Sequence, residues 1–251
     1  NKTVRLTSNK TGKPTIRPLG DVLQERYAEI TAMDRSIGQL RDWLGEAALR
    51  KNTMLWYCGD NGTPAGGIVT SPFRGRKGTM YDGGIRVPGV IEWPAKSSGS
   101  RVSNVNTVTS DILPTLCEII GRPLPNRPLD GVSLKPLIEG KMVQRVEPIG
   151  FWSFDTGNAR GGKAYIAPRL QQGTTPLVKM LGGRYTRRFV NFHHPEIREQ
   201  DFGGVRVLLG NRFKLIVKSR KGKSDVHELY DVRKDPAEKQ NLAASSPRVA
   251  Q

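Results

Sequence analysis

A long helical pattern that runs into a short apolar strand is the feature that most constrains the fold of this chain. The helix begins near Asp21 and ends near Gly45, and apolar residues recur at every third or fourth position between them. These positions are Leu23, Tyr27, Ile30, Met33, Ile37, Leu40 and Leu44. The apolar run Thr53–Cys58 follows and is typical of a buried strand in a parallel α/β sheet. We therefore expect an α/β fold in which helices flank a mixed sheet.

Polar connections and shorter patterns make up the rest of the first half. Residues 1–20 are rich in Lys, Thr, Asn, Gly and Pro without periodicity, which predicts a loop or leader. After a short apolar run at Val87–Trp93, a second helix opens at Ser110-Asp111 and is capped by Gly121. Residues 121–145 are rich in Pro and Gly and indicate a connection. We therefore assign residues 21–145 to the α/β part of the chain.

The last hundred residues favour strands. Strand-like runs lie at Pro148–Phe154, Val205–Leu209, Phe213–Val217 and His227–Asp231. Gly210-Asn211 predicts a tight hairpin turn, and Ser219–Ser224 predicts a longer basic loop. The interval 155–204 is polar and Gly-rich and has no clear assignment. Residues 146–251 are therefore predicted to form a small antiparallel sheet with a helix.

The formal net charge of +17 favours an anionic partner. One basic cluster consists of Arg212, Lys214, Lys218, Arg220, Lys221 and Lys223. Aromatic residues are only 7% of the chain and no nucleic-acid-binding motif occurs, so we expect no nucleic acid as partner. No apolar run is long enough for a membrane helix. The two cysteines, Cys58 and Cys117, lie in apolar runs and are expected to be buried free thiols.

Three polar residues of the first half are candidates for a binding site. Asp60 and Asn61 follow the predicted strand directly, and ligands of α/β sheets bind beyond the carboxyl ends of strands. Their oxygens are of the hard type that calcium prefers, although calcium takes about six to eight oxygens and a plain turn has the same composition. Lys77 lies between Gly75 and Gly78, where it could face an anionic group or simply be solvated.

Taken together, these motifs resemble those of the sulfatase family. The resemblance rests on Asp60-Asn61-Gly62, Pro72–Pro88, Trp93-Pro94, Asp111–Leu116, Leu129–Leu134, Gly210–Ile216, Glu228–Asp231, Asp235-Pro236 and Asn241-Leu242. It implies that Asp60 and Asn61 are calcium ligands and that Lys77 contacts the sulfate. It also implies hydrolysis of a sulfate ester, with a sulfated small molecule or glycan as substrate and a sugar favoured. The family location would be periplasmic, secreted or lysosomal.

Several features of the family pattern have no counterpart in this sequence. In that family the nucleophile is a formylglycine made from a cysteine in a Cys-x-Pro-Ser-Arg-like motif, and neither Cys58 nor Cys117 lies in such a motif. An Asp-Asp pair for calcium and a histidine upstream of Asp60 are also absent. We therefore expect this sequence to begin partway through a sulfatase. The chain alone is predicted to be inactive and to bind calcium poorly.

Two other functions remain open from the sequence. One is hydrolysis of phosphate or phosphonate esters by a relative of alkaline phosphatase, and the other is a non-catalytic module that binds polyanions through the basic cluster. The histidines do not decide between them. His227 adjoins the last strand and is expected to be structural or exposed, whereas His193 and His194 fall in the unassigned interval, where a surface loop is favoured over a substrate pocket.

Overall fold

The structure is a computed structural model, and it describes residues 2–8, 13–63, 71–97, 99–126, 128–152, 204–220 and 223–246. The remaining interval of the second half, with His193 and His194, lies outside the described residues. The chain divides into two compact units. Among the described residues, 2–30 belong to the first unit, and the others belong to the second.

The first unit contains a hairpin where the sequence predicted a loop. Strands β1 (Thr3–Thr7) and β2 (Pro14–Pro18) pair antiparallel. Val4 of β1 is buried against Val22, and partly buried Leu6, Leu19 and Leu23 pack around them. The prediction for residues 1–20 was therefore wrong: Val4 and Leu6 place their side chains on one face of the strand, a period of two that is hard to detect within five residues.

Helix α1 extends from Leu19 to Glu46 and confirms the helical prediction, with a start two residues before Asp21. Beyond its end, Ala48 has a left-handed backbone with φ of 55°, and the Leu49 amide donates to the Leu44 carbonyl. Leu44 is buried, but much of the apolar face is not. Five large apolar residues of this helix are 39–57% exposed, namely Tyr27, Ile30, Met33, Leu40 and Trp43. A buried face was predicted from the spacing, and the described part of the chain leaves most of it uncovered.

Strand β3 (Leu55–Cys58) pairs antiparallel with β4 (Gly89–Glu92). The prediction of strand β3 is confirmed, and β4 lies within the apolar run Val87–Trp93. The expected parallel neighbours of β3 do not occur among the described residues. The strand is half-buried rather than fully buried. Glu92 at the end of β4 receives hydrogen bonds from two guanidinium groups, with Arg41 Nε at 2.7 Å and Arg50 Nη2 at 2.8 Å. These bonds hold the last part of α1 and the segment after it against the two-stranded sheet.

Three short helices complete the α/β part. Between β3 and β4 lies the single-turn helix α2 (Asp82–Ile85), and after β4 lies α3 (Ile112–Ile119), which ends as predicted with Gly121 in a left-handed conformation. The helix α4 (Lys135–Ile138) interrupts the predicted connection. Both cysteines are free as predicted, but they are half-buried.

Residue Asp111, just before α3, forms a buried ion pair. Its carboxylate oxygens lie 2.7 and 2.8 Å from the guanidinium of Arg145, and the two side chains are 0% and 2% exposed. The same carboxylate accepts hydrogen bonds from the amides of Val108 and Val132. This pair fastens the connection to the start of α3.

A four-stranded antiparallel sheet forms the last part of the chain. Its strands, in the order β5-β6-β7-β8, are Ile149–Trp152, Val205–Leu209, Phe213–Arg220 and Lys223–Asp231. The hairpin at Gly210-Asn211 is confirmed. The loop predicted at residues 219–224 is wrong, because β7 and β8 extend until Arg220 pairs with Lys223. The helix expected beside this sheet has no counterpart within 204–220 or 223–246.

Candidate active site

The two predicted metal ligands lie directly after β3. Asp60 is exposed and Asn61 is half-buried. We call residues 60–63 the carboxylate loop. It is held by its backbone, because the amides of Gly62 and Thr63 donate to the carbonyls of Gly84 and Gly83, each at 2.9 Å. The backbone of the loop is therefore fixed, whereas the side chain of Asp60 is exposed.

The predicted sulfate-binding lysine lies beside this loop. Lys77 is exposed and belongs to residues 71–81, which we call the lysine loop. Its backbone amide donates a 2.7 Å hydrogen bond to the carbonyl of Thr63. The carboxylate loop and the lysine loop, which residues 64–70 separate in the sequence, are therefore joined directly by their backbones.

Glycine is required where these backbones cross. An added Cβ would lie 2.1 Å from the Gly83 carbonyl oxygen if placed on Gly62, and 2.5 Å from the Arg74 carbonyl oxygen if placed on Gly83. A Cβ on Gly84 would lie 2.1 Å from the carbonyl oxygen of Thr79. Contacts this short do not occur for real side chains, so all three glycines are needed for the backbones to approach each other this closely.

Calcium binding by these residues alone does not fit the structure. The side chains of Asp60, Asn61 and Lys77 have no hydrogen-bond partner in the described part of the chain. The first two supply hard oxygens suited to calcium, but calcium takes about six to eight of them. No group of three or more His, Cys, Asp or Glu side chains that could hold a metal is found among the described residues. Asp60 and Asn61 can therefore provide only part of such a site.

A buried ion cluster supports the crossing from the side of the C-terminal sheet. Lys214 of β7 is fully buried, with its Nζ 2.7 Å from Asp82 Oδ1 and 2.7 Å from Glu238 Oε1. The other oxygen of Glu238 accepts a 2.7 Å hydrogen bond from the backbone amide of Asp82. Burial raises the pKa of Glu238, and the hydrogen bond from Lys214 opposes that rise. We call these three residues the buried ion cluster.

The backbone of Glu238 is strained in order to reach this cluster. Its φ of 52° is left-handed, which costs a non-glycine residue about 1–2 kcal/mol. The amide of Glu238 donates to the carbonyl of Asp235, which closes a tight turn after β8. This turn directs a fully buried carboxylate towards Lys214, and such strain persists only where the surroundings determine the conformation.

Aromatic and charged side chains extend the support at the base of the lysine loop. Arg74 donates a 2.8 Å hydrogen bond to the hydroxyl of Tyr230, and its guanidinium lies 4.0 Å from the centre of the Tyr81 ring. Tyr81 donates to Glu228 at 2.8 Å, and Lys218 contacts both Tyr81 and Glu228. The loop is therefore attached to β7 and β8 at several points.

These contacts shift the pKa values of Glu228 and Tyr230, among others. Burial raises the pKa of Glu228, but hydrogen bonds from Lys218, Tyr81 and Tyr230 outweigh burial, so the net pKa is lowered. For Tyr230, burial is the main cause and the hydrogen bond to Glu228 adds to it, which raises the pKa to about 12. Glu228 is thus held as a carboxylate and Tyr230 as a neutral phenol.

The pairing of the basic residues weakens the prediction of a polyanion-binding surface. Arg212 lies 2.7 Å from Asp231, Lys214 belongs to the buried ion cluster, and Lys218 contacts Glu228. All members of the basic cluster whose side chains the structure describes are therefore paired with carboxylates. His227 on β8 is exposed, in agreement with the prediction.

Sequence reasoning did not identify the roles of Asp82, Lys214 and Glu238. Asp82 was noted only as part of a motif, and Lys214 only as one positive charge in a basic run. Glu238 follows Asp235-Pro236 by two residues and was not identified as a candidate. A charged residue inside an otherwise apolar strand usually indicates a buried ion pair, because such residues are rarely buried unless they are paired.

A cavity of about 580 Å³ in the second unit reaches Asp82 of the buried ion cluster. Its lining includes Trp56 and Cys58 of β3, Asn106, Phe151 of β5 and Leu209 of β6. Asp60, Asn61 and Lys77 do not line it. The candidate site is therefore an open surface at the end of β3 rather than this cavity.

Comparison with known proteins shows a similarity to sulfatases. The Sulfatase family model matches residues 2–121. Human steryl-sulfatase is 32% identical over 140 residues, which cover 52% of this chain and 23% of that protein. Human arylsulfatase A is 27% identical over 245 residues, which cover 93% of this chain and 41% of that protein. This chain thus spans less than half the length of these curated relatives.

Solved structures agree in fold. The putative sulfatase yidJ from Bacteroides fragilis superposes with a TM-score of 0.61 at 18% identity, covering 89% of this chain and 38% of that one. BT4656, crystallised with its substrate D-glucosamine-2-N,6-O-disulfate, gives 0.52 at 20% identity, covering 88% and 36%. The phosphonate monoester hydrolase of Agrobacterium radiobacter gives 0.53 at 23% identity, covering 88% and 37%. The chain therefore shares its α/β fold with these proteins, and its residues 2–121 are similar to the Sulfatase family model.

Proposed function

We propose that this chain is part of an enzyme that hydrolyses sulfate esters. The observation that carries the proposal is the hydrogen bond from the Lys77 amide to the Thr63 carbonyl, which joins the lysine loop to the carboxylate loop. This bond connects the backbone at Lys77 to the loop that contains Asp60 and Asn61, and hydrolysis of a sulfate ester needs both anion binding and charge stabilisation. The match of residues 2–121 to the Sulfatase family model supports the same reaction.

Each candidate residue has a separate role in this proposal. The ammonium of Lys77 contacts the sulfate and stabilises the negative charge that develops on it during bond cleavage. Asp60 and Asn61 each contribute an oxygen to a calcium site whose remaining ligands come from sequence outside this chain. Bound calcium would supply further positive charge for the sulfate. The nucleophile, which the family resemblance predicts to be a formylglycine, would also come from outside this chain.

The substrate is proposed to be a sulfated sugar. Support comes from the structural neighbour BT4656, whose substrate is D-glucosamine-2-N,6-O-disulfate. The exposed position of Lys77 and Asp60 agrees with a substrate larger than the sulfate group itself. A periplasmic, secreted or lysosomal location is proposed with it, and no helix among the described residues is long and apolar enough to cross a membrane.

The test uses the product of the longest open reading frame that contains this sequence. Hydrolysis of 4-nitrophenyl sulfate is measured for this protein, for Lys77→Ala and for Lys96→Ala, which removes an exposed lysine in the turn after β4. Loss of one charge-stabilising group predicts a fall of about 10²–10³-fold in kcat for Lys77→Ala, with no change for Lys96→Ala. Equal activity of the two variants would contradict the role of Lys77.

The same protein distinguishes the competing reaction. We expect 4-nitrophenyl sulfate to be hydrolysed with a higher kcat/KM than 4-nitrophenyl phosphate or a phosphonate monoester. The likeness to the phosphonate monoester hydrolase shows a shared fold alone, so the order of these three values decides between the reactions. A preference for the phosphonate would replace the proposed function with the alternative.

A further inference from the structure

Both loops of the candidate site attach to the same short piece of backbone. This piece is the central tripeptide, residues 82–84, at the start of α2. The amides of Gly62 and Thr63 donate to its carbonyls, and the amide of its middle residue donates a 2.6 Å hydrogen bond to the carbonyl of Arg74 in the lysine loop. The positions of the carboxylate loop and the lysine loop are therefore set by where the central tripeptide lies.

The buried ion cluster fixes the central tripeptide through both its side chain and its backbone. Lys214 binds the carboxylate of Asp82 at 2.7 Å, and Glu238 accepts the hydrogen bond of the Asp82 amide at 2.7 Å. Lys214 and Glu238 also bind each other and are both 0% exposed. Two residues that are 132 and 156 positions away along the chain thus hold one residue of the site region at two points.

Stability alone does not account for such a cluster. Apolar residues of similar volume often replace a buried ion pair without loss of stability, because desolvation of the charges offsets much of their attraction. The buried ion cluster differs from an apolar contact in its geometry. Its hydrogen bonds of 2.7 Å fix the position of Asp82, whereas residues in an apolar contact can shift along each other. The strained backbone of Glu238 agrees with a role in placement.

We propose that Lys214 and Glu238 are positioning residues, which hold the central tripeptide and through it place Lys77 for contact with the sulfate. The proposal rests on the proposed function of Lys77. Neither residue touches the substrate in this account. They act only through the backbone bonds that connect residues 82–84 to the two loops.

Hydrogen exchange tests the positioning without any enzymatic reaction. In Lys214→Met, the amides of Gly62, Thr63, Lys77 and Gly83 are expected to exchange about tenfold faster or more, because their hydrogen bonds depend on the tripeptide. The control Arg145→Met also removes a buried cation from a carboxylate, but its partner Asp111 has no bond to either loop. We expect the control to leave these four rates within about twofold of the wild type.

The proposal is overturned if the four amides keep their rates in Lys214→Met, or if both variants accelerate them equally. Should Lys214→Met not fold, Glu238→Gln is measured by the same criteria, since it removes one charge and keeps the shape of the side chain. The measurement is made on this 251-residue chain and on the product of the longest reading frame.

A double-mutant cycle in the longer protein then tests whether the cluster acts through Lys77. Lys214→Met is expected to lower kcat/KM for 4-nitrophenyl sulfate by about tenfold or more, and to have almost no further effect in the Lys77→Ala background. Lys214→Arg should restore part of the activity. Additive effects would show a general structural role and overturn the proposal. Absence of any Lys77-dependent activity, with the exchange result intact, would instead reject the proposed function and leave the structural coupling in place.

Discussion

At the scale of single residues, the hydroxyl of Tyr230 links the lysine loop to the C-terminal sheet. It accepts a hydrogen bond from Arg74 and donates a 3.0 Å hydrogen bond to Glu228. Because its pKa is raised to about 12, the folded protein keeps the phenol protonated where an unfolded tyrosine, with a pKa of about 10, already loses its proton. Its contribution to stability is therefore complete below about pH 10 and is lost as the pH rises towards 12.

A prediction follows for the alkaline range. In Tyr230→Phe the free energy of unfolding should be lower than in the wild type at pH 8, and the difference should shrink between about pH 10 and pH 12. The phenylalanine removes both hydrogen bonds and the titrating group together. The stability of the variant therefore lacks the part of the pH dependence that comes from this phenol. Urea unfolding at a series of pH values measures the free energy of unfolding of both proteins. An unchanged difference across that range would show that the phenol does not titrate as described.

Asp60 and Asn61 lead to a prediction about metal binding. With only two protein oxygens and the rest from water, this chain should bind calcium more weakly than about 10⁻³ M, the weak end of natural protein sites. Isothermal titration of the 251-residue chain and of Asp60→Ala should therefore give the same result, with no saturable heat. Micromolar binding that is lost in Asp60→Ala would mean that further ligands lie within this chain.

At the scale of elements, the crossing of the two loops depends on glycine. Gly83→Ala would place a Cβ 2.5 Å from the carbonyl oxygens of Arg74 and Gly75, so the loops must separate. We expect a loss of about 1–3 kcal/mol in the free energy of unfolding, as for other overpacked sites. Gly89→Ala in β4 is the control, because nothing lies within 4 Å of its added Cβ. Chemical denaturation gives the free energy of unfolding of both variants. Equal values would show that the backbones are not closely packed at Gly83.

The elements themselves could be predicted where the signal is local. Helix α1, the strands β3 and β4 and the hairpin at Gly210-Asn211 follow from spacing and turn residues within short windows. The first hairpin was missed because its two strands have only five residues each among polar neighbours. The pairing of Lys214 with Asp82 spans 132 positions, and no local pattern reports a contact across that distance.

At the candidate site, the sequence predicted the residues but not their arrangement. Asp60, Asn61 and Lys77 were identified through the family resemblance, and the hydrogen bond between Thr63 and Lys77 that joins their loops became visible only in the structure. The support beneath them was not predicted, because single charged residues in a sequence do not indicate whether they are solvated or buried in pairs. Glu238 illustrates this, since its left-handed backbone is what directs it inwards.

At the scale of the whole molecule, the chain presents an apolar helix face and a two-stranded sheet that the described residues leave half-covered. Tyr27 and Trp43 on α1 are each 57% exposed, and Val90 on β4 is 60% exposed. The chain also spans only 41% of arylsulfatase A and 23% of steryl-sulfatase. Both facts agree with the proposal that the nucleophile and the remaining metal ligands belong to sequence outside this chain.

We propose that this chain holds one part of a sulfatase site and requires the other part for catalysis. Turnover of 4-nitrophenyl sulfate by the purified 251-residue chain, measured beside the product of the longest reading frame, tests it most directly. We expect no turnover by the 251-residue chain above that of buffer, and turnover by the longer protein that falls about 10²–10³-fold in Lys77→Ala. Turnover by the 251-residue chain alone that disappears in Lys77→Ala would contradict the account, because the chain would then contain a nucleophile of its own.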